Sequence, residues 1–548
     1  MTTVLPVAPN RTTDAYVEVY RTDRNNIRRD LLGVVGETVM DIGANWDIDR
    51  SGSKAAANIT AQGGVLEPGM WIAPYVTITP EVGEVTRQQM GHFRLGKPGI
   101  RYSGSQRSES DQYLRIQSAT GADIVDDLAA VKLQETFYTP IDGNIMSDVG
   151  LLIRMATCGV TTFNQVADPS FNQQGTYWTQ SHLAGAGSML WTYPGNTPVP
   201  KGKYMAGMLF NSGRAIGDYM RIYQDVMLPQ NSNIVLIFGL AFRGSSLLTT
   251  QLIAQFQDES GANIGSAIAI TNGDVYQQWK RHYAFLAVPV GAVQVRVWCR
   301  AHTTATTATT AYAAFEDIHV HRVSMMPIND DRINLPQSSV KATTFIQTAA
   351  GKNLCYDGIN SDRLNALGYH SIYADLEGVL TTRIMRNASE DYPDRVYGNG
   401  DVNIVGEVEI AESSANVPNH FMAIKEDSQN AASSMVAISY NNSPNDWFSV
   451  VNTERVVSAD IIYIPDAVDI NTLKAAATAA RDRQSMREQI TFQLMPDLAL
   501  QVHAVVEITD TTKPEAMGKW GIEEITPGMK PDSALVTVTA RRTIGGTT

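Results

Sequence analysis

GNIMSDVGLLIRMATCG, residues 143–159, carries a helical period that stops abruptly. Its apolar residues Ile145, Val149, Leu152, Ile153 and Ala156 fall at i, i+4, i+7, i+8 and i+11, one face of a helix. Gly159 stands where a left-handed C-terminal cap belongs. From Thr161 to Val323 the helical period is absent and strand patterns return at regular intervals: YMAGMLF, YMRIYQDVML, NIVLIFGLAFRG, LIAQFQDESG, HYAFLAVPVG, VQVRVWCRA and FEDIHVHRV. About seven or eight strands over this span predict a two-sheet jelly roll. The tract TTATTATTA, residues 303–311, lies between two of these strands and reads as a mobile hairpin loop.

Working outward, residues 15–98 show short-period alternation broken by Gly, Pro and Ser turns, as in AYVEVYR and NWDIDRSG, which predicts a small barrel-like domain. After Pro336, mixed patterning resumes with KNLCYDGINSDRLNALGY, so the helices before Gly159 find the rest of their unit beyond the strand block. NTLKAAATAARDRQSMREQ, residues 471–489, is rich in Ala and straight-chain residues and predicts a helix, with Asp469 as its N-cap. The tail holds four strand patterns, ITFQLM, HAVVEITD, KWGIEEITPG and SALVTVTARR. The expected fold is therefore mainly β with α+β parts. Its domains are a barrel-like domain over 1–118, a discontinuous α+β region over 119–162 and 324–460, an inserted β-sandwich over 163–323, and a helix plus barrel-like domain over 461–548. An insert of this kind at a surface loop is expected to be removable without unfolding its host.

The chain has 548 residues, enough for several cores, and a net charge of −13. That sign opposes phosphate binding, so no specific nucleic-acid partner is expected. Three scattered cysteines, Cys158, Cys299 and Cys355, provide neither a disulfide framework nor a cysteine zinc site. No stretch approaches the roughly 20 apolar residues of a membrane span, and the N-terminus lacks a signal-peptide pattern. Catalytic motifs fail on inspection. GHFRLGKP has Pro98 where a P-loop needs Ser or Thr, and Leu248 replaces the closing glycine of a nucleophile elbow after Gly244-Ser245-Ser246. The adjacent Glu316 and Asp317 alternate across a strand, which separates two carboxylates that a glycosidase would need together. No enzyme is expected.

The segment GINSDRLNALGYHSIYADLEG, followed by VPNHFMAIKED, YNNSPND, an Ala-rich helix and a sheet ending VTVTARR, resembles tail hub proteins of long-tailed bacteriophages, the minor tail proteins of actinobacterial phages in particular. The marks are Asn360, Leu364 through Tyr369, Asp375, Gly378, Pro418-Asn419 and Asn442-Ser443-Pro444, in that order; Asn445-Asp446 departs from the family's proline-richer turn. The resemblance covers roughly residues 1–160 and 330–548. It implies a structural virion protein at the tail tip, assembled in the host cytoplasm as a homotrimer. Its implied neighbours are the distal tail protein ring, the tape measure protein and other tail-tip or fibre proteins. The block opening with DPSFNQQGTYW and closing with FEDIHVHRV resembles jelly-roll carbohydrate-binding modules, which implies a host cell-surface glycan as partner. That second resemblance also implies a structural calcium between the first and last strands, with Asp168 and Asp317 as matching ligands; no other cofactor is required. Two alternatives share these features: a glycan-degrading enzyme targeted by the module, and a hexameric distal tail adaptor.

A pyranose presents a face of C–H bonds to a flat ring while its hydroxyls take polar partners. Trp191 and Tyr193, in the Gly- and Pro-rich stretch SMLWTYPGNTP, are loop candidates for such contact, with Tyr219 and Tyr223 as candidates on a sheet face. Trp178, Trp279 and Trp298 sit in strand patterns and read as core. His319 and His321 share one face of a strand, as a zinc pair would; no third ligand is identifiable, and a solvated strand face explains them equally.

Overall fold

The structure is a computed structural model. It describes residues 11–23, 26–35, 39–47, 54–62, 66–80, 85–103, 114–160, 163–182, 187–191, 204–229, 232–271, 276–307, 309–336, 341–342, 345–365, 369–384, 391–398, 404–412, 417–425, 434–444, 448–463, 470–484, 486–495, 497, 500–530 and 533–543. The fold is mainly β, with several sheets and few helices. Among the described residues, no helix is long and apolar enough to cross a membrane. Two compact units emerge: residues 1–127, 330–334 and 364–548, and residues 128–329 with 335–363.

In the first unit the N- and C-terminal strand patterns, expected as two separate barrel-like domains, share one sheet. Strand Val39–Asp47 pairs with Gly518–Lys530, Ile42 opposite Met529 and Trp46 opposite Ile525. The main path of pairings runs from Asn26–Val35 at one end to Ile404–Glu412 at the other. One core joins the two halves: Val17, Val19, Ile72 and Phe93 belong to the same buried cluster as Ile490, Phe492, Trp520 and Val538. A smaller sheet carries the helix Ile470–Gln484 through Leu473 and three alanines, Ala423, Ala437 and Ala477, whose small side chains let helix and sheet approach closely. That helix is shorter than its sequence pattern, because Met486–Leu494 is a strand paired with Ser533–Thr543. Asp469, its expected cap, lies outside the described residues.

Several residues that mark the hub resemblance hold turns of this unit. Asp375 Oδ1 accepts from the backbone N–H groups of Glu377 and Val379, at 2.9 Å each. Gly378 completes the turn at φ +77°, where a Cβ would fall 2.8 Å from that of His92. Asn419 is fully buried; its amide donates to the carbonyls of Phe448 and Arg455, and its Oδ1 accepts from Val457 N.

In the second unit the helix Ile145–Cys158 forms as its spacing predicts. Asn144 caps it by accepting from Ser147 N at 2.9 Å, and Gly159 ends it at φ +64°. Ile145, Val149, Leu151, Leu152 and Ile153 are fully buried, each contributing about 1.5–3 kcal/mol. Among the described residues the sandwich has ten strands in two antiparallel sheets. One is ordered Thr179–His182, Tyr219–Met227, Gln294–Thr303, Leu248–Gln257, Asn263–Ile270; the other Gly187–Leu190, Ala206–Phe210, Ala311–Val323, Ile234–Arg243, Trp279–Ala287. Between them lies a core that includes Phe210, Ile222, Leu252, Phe256, Val297, Cys299 and Phe315.

The loop around 303–311, expected to be mobile, is anchored: Thr307 is buried, donates to Asn211 O at 3.0 Å and accepts from Arg214 N at 2.8 Å. A low-complexity tract conceals this because its buried threonines, Thr303 and Thr307, look like the exposed ones beside them. The unit also includes the helix Ile145–Cys158 and the π-helical segment Leu354–Leu364 up to Arg363, so the sandwich shares a compact body with chain on both sides of residues 163–323.

Candidate functional site

Strands Tyr219–Met227 and Gln294–Thr303 alternate between buried and part-exposed residues, so each offers one face to the core and one outward. Their register sets Tyr219 opposite His302, Arg221 opposite Arg300, Tyr223 opposite Trp298, and Asp225 opposite Arg296. On the far side of the Trp298 strand, Gln251 stands opposite Arg300 and Ile253 opposite Trp298. Thr179 extends the Tyr223–Trp298 row on the near side. The outward face therefore presents a row of aromatic and apolar groups flanked by arginines.

The Tyr223 and Trp298 rings meet edge to face, 6.4 Å apart at 65°. Arg221 lies 5.2 Å from the Tyr219 ring and 5.6 Å from that of Trp298. Arg296 lies 4.5 Å from the Tyr223 ring and donates through both Nε and Nη2 to Asp225, at 2.6 and 2.8 Å. Those hydrogen bonds raise its pKa further, which keeps the guanidinium charged. Arg300 lies 5.2 Å from the Tyr219 ring, and its Nε makes no hydrogen bond. A flat indole beside forked donors can stack against the C–H face of a sugar and hydrogen-bond its hydroxyls or a carboxylate.

Trp298 is thus not a core residue. Val295, Val297, Cys299 and Ala301 point inward in VQVRVWCRA, and the same alternation turns Arg296, Trp298 and Arg300 outward. Trp178 and Trp279 are core, as expected. Of the four aromatic candidates, Tyr219 and Tyr223 share this face. Trp191 follows strand Gly187–Leu190 of the opposite sheet and packs partly buried against the sandwich core, 6.0 Å from Phe171. Gly175, at φ +73°, passes so close to that indole that a Cβ would fall 2.2 Å from it. Tyr193 lies outside the described residues.

The opposite sheet is closed on both faces along strands Ile234–Arg243 and Ala311–Val323 and at the start of Trp279–Ala287. Trp279 is fully buried, its N–H donating to Asp142 O and its carbonyl accepting from Asn144 N. Arg281, two residues on, is also fully buried. It donates from Nε to Asp148 of the long helix at 2.8 Å, from Nη1 to Asp317 at 2.9 Å and from Nη2 to Tyr138 O at 2.6 Å, and it stacks on Phe137 at 4.5 Å. A buried guanidinium is tolerated because two carboxylates and a carbonyl replace its water.

Burial alone would raise the Asp317 carboxyl, but the charges and hydrogen bonds of His319 and Arg281 hold it below the usual carboxylate range. Asp168 has other partners: its Oδ2 accepts from Gln173 N at 2.9 Å and its carbonyl from Trp178 Nε1 at 3.3 Å. The two expected calcium ligands are therefore engaged separately, Asp317 with Arg281 and His319, Asp168 within its own turn. His319 and His321 are buried, not solvated, and Phe238 stacks on both, 4.4 and 5.6 Å away. Cys158 and Cys299 are buried thiols; desolvation pushes the first up to about 12 and the second well above its ordinary value, which leaves both unreactive.

No protein-family model matches the chain, and none of the curated proteins matches it in sequence. Among solved structures, the chain is similar to a 43 kDa tail protein of a prophage from Shewanella oneidensis, at 8% identity and a TM-score of 0.45, over 96% of this chain and 98% of that one. It is also similar, over 29% of its length, to a family 61 carbohydrate-binding module in complex with β-1,4-galactotriose, at 15% identity and a TM-score of 0.22, covering 99% of that module. A third similarity is to the C-terminal family 22 carbohydrate-binding module of a Clostridium thermocellum protein, at 18% identity and a TM-score of 0.21, over 31% of this chain and 96% of that one.

Proposed function

We propose that this chain is a non-enzymatic structural protein of a phage tail tip, a hub assembled as a trimer around the tail axis, and that its sandwich binds host-surface glycan. The observation that carries the binding half is the outward row of Tyr223 and Trp298, flanked by Arg221, Arg296 and Arg300. These groups match a polysaccharide chain lying across the strands, one ring stacked on Trp298 and its polar groups taken by the arginines. Three copies on one ring gain avidity from contacts that are individually weak. The hub half rests on the resemblance of the marked segments, Asp375–Gly378 and Asn419 among them.

The test is binding of the purified chain to host cell-wall material, together with imaging of the assembled particle. Trp298→Ala should weaken glycan binding by about 1–3 kcal/mol, roughly 5- to 150-fold, with little change in melting. Undiminished binding by a folded Trp298→Ala chain removes this face from the proposal. Six-fold particles would favour a distal tail adaptor over a hub, and release of reducing sugar from the glycan would favour an enzyme.

A further inference from the structure

We propose that Glu135, His319 and His321 form a binding site for a zinc-class divalent cation, with three protein ligands and a fourth position open to an exchangeable one. All three residues lie within the second compact unit, where strand Ala311–Val323 brings the histidines against the segment that precedes the long helix. One potential ligand atom from each residue lies within 4.8 Å of the other two.

The spacing is that of ligands sharing one ion. His319 Nδ1 and His321 Nε2 face one another at 3.2 Å. Two nitrogens bound at about 2.0–2.1 Å to one tetrahedral ion stand about 3.3 Å apart. Glu135 Oε2 lies 3.8 Å from the same His319 nitrogen, and the Glu135 side chain is part exposed. It therefore has room for the movement of about half an ångström that closes the set.

The surrounding contacts orient these donors. His319 Nε2 donates to Asp317 Oδ1 at 2.8 Å, which leaves the Nδ1 lone pair for the ion, as carboxylate–histidine–metal arrangements require. Asp317 is itself held by Arg281. The other oxygen of Glu135 accepts from Asn164 N at 2.6 Å, leaving one oxygen for the ion. Asn164 in turn bonds Ile318 O and Val320 N, which ties the Glu135 side of the site to the histidine strand. Phe238 stacks on both imidazoles and limits their rotation.

The local charge also favours a dication. Two carboxylates, those of Glu135 and Asp317, stand against His319, and the nearest guanidinium, Arg281, is already paired with Asp148 and Asp317. The three donors line a cavity of about 100 Å³ with Leu133, Phe137 and Met155, large enough for a water at the open position. Two imidazoles and one carboxylate suit zinc, cobalt or nickel rather than calcium, which takes oxygen donors.

The untagged full chain, stripped with chelator, is to be titrated with Co²⁺ and then Zn²⁺. One Co²⁺ per chain should bind with the visible absorption of a four-coordinate nitrogen–oxygen site, and Zn²⁺ should displace it. His321→Ala should lose the band, and Glu135→Gln, a conservative change at a part-exposed position, should weaken Zn²⁺ at least tenfold in calorimetry while the fold is retained. Tyr223→Ala should bind metal as the wild type does. Absence of saturable one-to-one binding overturns the proposal, as does unchanged affinity in a folded Glu135→Gln chain.

Discussion

The two sheets of the sandwich have equal strand counts and opposite fates. In strands Ile234–Arg243 and Ala311–Val323 of one sheet nearly every residue is buried, because the core covers one face and the chain leading into the long helix, with Phe137 against Phe238, lies on the other. In the sheet of Tyr219–Met227 and Gln294–Thr303 every second residue turns outward. Arginines show what that difference does. Arg281 on the closed sheet is locked by two carboxylates and serves the fold, while Arg221 and Arg300 on the open sheet lie over aromatic rings. The lesson is that one side-chain chemistry becomes cement or contact surface according to what covers the sheet.

The largest effect should come from removing the sandwich. Deleting residues 163–323 takes Arg281 and Trp279 away from Asp148, Tyr138 and Asp142, and strips the cover from a helix whose buried face was matched to it. The truncated chain should be insoluble or lack cooperative unfolding. A soluble product with a sharp melt would show that the closed sheet is not part of the helix's core.

Next in size is Arg281→Met, which leaves Asp148 and Asp317 buried without their cation. A loss of about 3–5 kcal/mol in denaturant unfolding is expected. If Arg300→Met on the open sheet costs as much, the contrast between the two sheets fails.

Gly175→Ala should cost about 1–3 kcal/mol, from strain at φ +73° and from collision with the Trp191 indole. Glycan affinity per folded molecule should be unchanged, which sharpens the assignment of Trp191 to the core side; weakened affinity in folded protein would return Trp191 to the binding surface. The smallest effect is that of Arg296→Ala. Its pair with Asp225 is bidentate but part exposed, so stability should fall by less than about 1 kcal/mol, more at low salt than at high.

Much of this was written locally. The helix over 145–158, its Gly159 end and the strand block follow from periods of 3.6 and 2 and from cap chemistry. The open face was legible too: the alternation in VQVRVWCRA already separates Trp298 from Val297 and Cys299, although strand membership alone suggested core. NIVLIFGLAFRG, a continuous apolar run, likewise marks a strand covered on both sides.

Pairing between distant segments was not legible, because nothing in a strand's own period names its neighbour. Val39–Asp47 meets Gly518–Lys530 across almost the whole chain, which is how two expected barrels come to share one sheet and one core. The same holds for polar partners. The sequence by itself determined that His319 and His321 share a strand face, that Arg281 falls at the start of a strand pattern, and that Asp148 rides on a helix. Only the tertiary structure decided that Asp148 meets Arg281 and that Glu135 faces the histidines, since hydrogen bonds and ligand sets depend on separations of a few ångströms that chain order does not encode.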